Sequence, residues 1–150
     1  MIIQTEQDVL RVALEMEKRA IRIYERALMI VEDEEVASGI RRILRDERGH
    51  LRRFMDMKNA LEGKPEREKL LLQSVAAEIL FPGGVMEMER ANSLTSLKAL
   101  YAYAAQSEED AVAKYNDFAE RCATPGVREA FLAVAREEAH HLSALRQRLL

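Results

Sequence analysis

One cysteine in 150 residues, Cys122, leaves the chain without a disulfide framework and without a Cys-x-x-Cys pair for zinc or thiol redox chemistry. Tryptophan is absent, aromatics make up 5% and there are three prolines, while 33% of residues are charged, a balance that suits a mostly helical protein. The charge is nearly even: a net −3 and a pI near 5.7 argue against nucleic acid as a partner. No long apolar run exists. The most apolar stretch, 70–86, is interrupted by Gln73, Glu78, Pro82 and two glycines and is too short to span a bilayer, so no membrane role is expected. The opening Met1-Ile2-Ile3-Gln4-Thr5-Glu6 lacks a basic region followed by an apolar one, so no signal peptide is expected and a reducing cytoplasm is the expected compartment. The length fits one domain with a sizeable core.

What the chain does have is a repeat. Glu17-Lys18-Arg19-Ala20-Ile21-Arg22-Ile23-Tyr24 aligns with Glu108-Glu109-Asp110-Ala111-Val112-Ala113-Lys114-Tyr115 at an offset of 91 residues. The same offset carries Glu47 to Glu138 and His50 to His141, and in each half the lone Glu precedes the paired Glu by 30 residues. It also maps Thr5 onto Ser96 and Asp33 onto Thr124, all residue types that cap helix N-termini. The halves read as two copies of one helical hairpin. In each, a Glu and a His three residues apart (Glu47/His50, Glu138/His141) share one helix face about a turn apart, in reach of one metal ion.

Apolar spacing places these polar groups inward. Helix one shows Leu10, Leu14, Ile21, Leu28 and Val31 with Glu17 and Tyr24 in the same stripe. A second edge, Val12, Met16, Ile23 and Ile30, is either a broadening of the core face or a subunit contact. Helix two carries Val36, Ile40, Ile43, Glu47, His50, Phe54, Met57 and Leu61 on one stripe, with Arg41, Arg42, Arg45, Arg48, Arg52 and Arg53 mostly off it as solvated surface. Helix three presents Tyr101, Ala105, Glu108, Val112, Tyr115, Ala119 and Cys122, the last read as a buried thiol. Helix four presents Phe131, Val134, Ala135, Glu138, His141, Leu142, Leu145 and Leu149. The alternative pair Glu137/His140 shares its stripe with Ala130, Ala133, Ala144 and Arg148, a less apolar face, so His141 is taken as inward and His140 as near the surface. Domain limits follow: a single domain over 1–150, with a hairpin at 5–62, a crossover connector at 63–95 that includes a short amphipathic helix over 66–80, and a second hairpin at 96–150.

Glu17, Glu47, Glu108, Glu138, His50 and His141 thus fall in one apolar core, with no Lys or Arg clearly on the inward stripes. Four carboxylates there would be very unfavourable without cations, since each ionised group loses several kcal/mol of hydration. Two divalent metals would balance them, and carboxylates with one imidazole per metal suit iron or manganese, with zinc or copper also able to bind. Two Glu would bridge while the others cap. Asp46 and Glu137, each preceding a ligand Glu, are either solvated charge or acceptors of an imidazole N–H. Tyr24 and Tyr115 are either ordinary core residues or hydrogen-bond donors to carboxylates on opposing helices.

At these residues the chain resembles the ferritin-like superfamily, in which two helices each give a Glu and two others each give Glu-x-x-His. The Glu-x-x-Ala-[Ile/Val]-x-x-Tyr pattern of helices one and three resembles the rubrerythrin family in particular. The resemblance implies an all-α four-helix bundle of two antiparallel hairpins joined by a crossover, and a non-haem di-iron centre whose ferrous form reacts with hydrogen peroxide or dioxygen. An iron-binding or ferroxidase protein with little turnover is the alternative, and a metal-free helical interaction module is a third reading. The resemblance and the second apolar edge also imply a homo-oligomer, at least a dimer. Two departures stand out. The sequence holds no rubredoxin-like set of four cysteines, so an electron donor is expected to be a separate protein. Ala111 stands where rubrerythrins have an extra carboxylate.

Overall fold

The computed structural model describes residues 5–61 and 96–149, which form four long helices: α1 (Glu6–Ile30), α2 (Glu34–Ala60), α3 (Leu97–Arg121) and α4 (Pro125–Leu149). The connector expected over 63–95 and its helix lie outside the described residues.

Each start follows from its cap. The Thr5 hydroxyl accepts from Asp8 N and the Asp8 carboxylate accepts from Thr5 N, a reciprocal capping box. Asp33 accepts from the amides of Glu35 and Val36, and Ser96 from that of Ala99. Thr124 departs from the expected pattern. Its carbonyl accepts the first helical bond of α4, from Arg128, but its amide and hydroxyl donate to the Glu6 carboxylate at 2.7 and 2.5 Å. The start of α1 thereby ties down the start of α4. At the same end the buried Gln7 amide donates to the carbonyls of Lys58 and Leu61 at the C-terminal end of α2.

Side-chain contacts fix the topology. Tyr24 meets Glu108 while Tyr115 meets Glu17, so α1 and α3 run antiparallel. His50 meets Glu137 while His141 meets Asp46, so α2 and α4 do too. With antiparallel hairpins α1/α2 and α3/α4, helices α2 and α3 point the same way. Ala60 and Leu97 therefore sit at opposite ends of the four-helix bundle, as a crossover connection requires.

The core divides in two. Toward one end Phe54, Tyr115, Phe118 and Phe131 pack with Leu10 and Val134, with the Phe54 and Phe131 rings 5.0 Å apart. Toward the other, Ile23, Tyr24, Ile40, Leu44, Leu100 and Leu145 form a second cluster. The buried face of α1 is broader than a single stripe: Val12 and Ile23 are fully buried, whereas Ile21, Leu28 and Val31 are only half-buried. The second edge is thus a widening of the core face, because α1 packs on both α2 and α3. Phe118, Leu100 and Ala104 take the inward places on α3 that the spacing assigned to Ala105 and Val112, and Ala130 of α4 is fully buried. All six arginines of α2 are exposed. Among the described residues no helix is long and apolar enough to cross a membrane.

Candidate metal centre

Between the two apolar clusters the bundle holds a polar layer. Each helix gives it one glutamate, Glu17, Glu47, Glu108 and Glu138, and α2 and α4 each add a histidine, His50 and His141. Helical repeat explains the placement: a side chain three or four residues from a buried apolar one shares its face. Glu17, Glu47 and Glu138 are each 1% exposed, and Glu108 and the two imidazoles are almost as deeply buried.

The distances are short and cross between hairpins. His50 Nδ1 lies 3.2 Å from Glu138 and 3.5 Å from both Glu17 and Glu47. His141 Nδ1 lies 3.0 Å from Glu138, 3.1 Å from Glu47 and 3.6 Å from Glu108. The rings stand nearly parallel, 6.3 Å apart. Outward, His141 Nε2–H donates to Asp46 at 3.0 Å and His50 Nε2–H donates to Glu137. Each acid thus serves the imidazole of the facing helix, and each is about half exposed, 50% for Asp46 and 52% for Glu137. The tyrosines are crossed in the same way: the Tyr115 hydroxyl donates to Glu17 at 2.7 Å and that of Tyr24 donates to Glu108. Both tyrosines are thus donors to an opposing helix and buried core residues at once.

The electrostatics are those of too much negative charge in too little water. Burial, then the neighbouring Glu138 charge, pushes Glu17 up to about 7. Burial and the other carboxylates raise Glu47 and Glu108 well above the usual range. Burial would also raise Glu138, but hydrogen bonds with Glu108, His141 and His50 outweigh it and hold this group well below the usual range. Burial pulls the two imidazoles down, yet the adjacent glutamates prevail and lift both to about 11. The phenols of Tyr24 and Tyr115 are raised by burial and by the glutamates they bond. Among the described residues the two imidazoles are the only cationic partners of the four glutamates.

These residues fit a metal. Glu47, Glu138, Glu17 and His50 offer one ligand atom each within 4.8 Å of one another, and so do Glu47, Glu138, Glu108 and His141. Glu17 Oε2 and Glu47 Oε1 are buried without a hydrogen-bond partner, the second despite lying 3.1 Å from His141 Nδ1. Buried polar atoms are normally satisfied, so two orphaned carboxylate oxygens in one layer suit a place that could hold a cation. His140 is exposed and outside both groups. Cys122 is buried away from the layer, its thiol pushed up to about 11 by burial and by Glu6, as suits an unreactive core residue. Ala20 and Ala111, the alanines of the repeated Glu-x-x-Ala motif, border a cavity on the α1–α3 side of the layer, a placement the sequence did not reveal.

A family model for the ferritin-like domain matches residues 5–150. No match was found among curated proteins or solved structures.

Proposed function

Because the chain belongs to the ferritin-like domain family, we propose that its polar layer holds two iron ions. On this reading the protein is a rubrerythrin-like oxidoreductase that reacts with hydrogen peroxide or dioxygen. One observation carries it: the two ligand groups overlap, sharing Glu47 and Glu138. Glu17 and His50 would complete one site and Glu108 and His141 the other, with the shared glutamates in reach of both. Four carboxylates balance two divalent ions, and oxygen ligands with one imidazole each suit iron, with manganese or zinc as possible substitutes.

Bound iron would supply one electron per ion, together enough to reduce hydrogen peroxide, with two protons, to two waters. The chain's own residues set the conditions. By accepting from Nε2–H, Asp46 and Glu137 fix each ring so that Nδ1 faces inward, where it can give its lone pair once its proton leaves. Tyr24 and Tyr115 hold one oxygen of Glu108 and of Glu17, which limits rotation of these carboxylates. The apolar clusters on either side exclude water and strengthen every charge interaction between them.

Ala111, in place of an extra carboxylate, supports a second reading, a ferroxidase for iron handling with little turnover. A separate electron-donor protein, assembly into at least a dimer and a cytoplasmic location belong to the same proposal and rest on the family likeness. Anaerobic loading with ferrous iron, then addition of peroxide or dioxygen, tests it. Repeated turnover with a reductant supports the oxidoreductase. One oxidation per site with mineral accumulation supports iron handling. Wild-type protein that retains no stoichiometric metal overturns both.

A further inference from the structure

The bundle closes over the polar layer differently on its two sides. On the α2–α4 side each imidazole stands between the carboxylates and solvent, tied to Asp46 or Glu137. On the α1–α3 side a cavity of about 30 Å³ is lined by all four buried glutamates and by neither of these histidines. Glu17 Oε2 and Glu47 Oε1, buried and without hydrogen-bond partners, belong to residues of this lining. Ala20 and Ala111 border it and are partly exposed.

The two alanines are equivalent in the repeat, each three residues after the lone glutamate of its half. That spacing sets each methyl one turn beyond a carboxylate on the same face, where a longer side chain would lie across the gap.

We propose that the gap between α1 and α3, framed by Ala20 and Ala111, is the port through which metal ions reach the layer. The proposal rests on the metal-binding reading above, so its test separates the two.

Full-length Ala20→Leu and Ala111→Leu are compared with wild type and with Ala144→Leu, a control at an exposed position in the groove between α2 and α4. Metal-free protein is mixed with cobalt(II), and absorbance gives both the uptake rate and the final content. Either port variant should slow uptake by about tenfold or more, the effect of a barrier higher by about 1.4 kcal/mol. Final content should match wild type, and Ala144→Leu should load at the wild-type rate. Wild-type uptake rates in both port variants, or slowing in Ala144→Leu alone, overturn the port while the metal site stands. Wild-type protein that takes up no cobalt removes the metal site and the port together. Should the leucine variants fold poorly, Ala20→Gly and Ala111→Gly give the converse test: faster uptake supports the port, and unchanged rates overturn it.

Discussion

Glu17→Gln and Glu138→Gln are the same chemical change in the same layer, yet they should act in opposite ways on the metal-free protein. Burial and the Glu138 charge push Glu17 up to about 7, so ionising it in the folded chain costs of order 3 kcal/mol more than in the unfolded chain. Glutamine removes that charge and can still accept from Tyr115, so Glu17→Gln should stay within about 1 kcal/mol of wild type. Glu138 is the reverse case. It is the glutamate held ionised, with both imidazoles 3.0–3.2 Å away. Removing one partner of a buried ion pair leaves the others uncompensated, and Glu138→Gln should lose about 3–5 kcal/mol. Metal content should diverge as well. Glu17 serves one ligand group, so its variant should keep a single ion per chain, whereas Glu138 serves both and its variant should keep none. Urea unfolding in the presence of a chelator reads the first quantity, and elemental analysis after loading and desalting reads the second. Equal destabilisation by the two substitutions would refute the charge distribution described here, and full metal content in both would refute the shared-ligand reading.

The histidines set a pH dependence. Their folded values near 11 lie above the ordinary 6.5, so the stability they contribute is complete below about pH 6.5 and is lost as pH rises toward 11. Melting temperature with chelator should therefore fall across that range, and less so with metal bound. Loading near neutral pH should release protons, measurable in weakly buffered solution, because metal displaces those held by the imidazoles and the raised glutamates. Asp46→Asn and Glu137→Gln should each weaken metal binding by about 10–100-fold in a chelator competition, and unchanged affinity would show that these acids do not orient the rings. Phe131→Ala, at the centre of the aromatic cluster, should cost about 3–5 kcal/mol in urea unfolding, and a loss below about 1 kcal/mol would mean the cluster repacks.

Much of the site was legible because helical periodicity is local. Glu47 and His50 share a stripe with Ile43 and Phe54, and that alone places them inward. The choice of His141 over His140 as the inward imidazole followed from the same logic; His141 is buried and His140 exposed. Less was legible where packing widens or turns a face. Val12 of α1 is buried because α1 contacts two neighbours, and Phe118 outranks Val112 on α3 because its larger ring fills the aromatic cluster. Thr124 looked like a cap from its alignment with Asp33 in the repeat, but no local rule could show that its hydroxyl would turn to Glu6, 118 residues away.

The sequence by itself determined which side chains face the interior and that the two halves present the same set, since both depend only on spacing along a helix and on a repeat at constant offset. It could not determine partners. That Asp46 holds His141 and not its own neighbour's imidazole, that each tyrosine reaches the other hairpin's glutamate, and that the layer opens between α1 and α3, all depend on which helices lie side by side and in which direction. Those relations are decided by the burial of whole faces against one another, a property of the assembled bundle that no single helix carries.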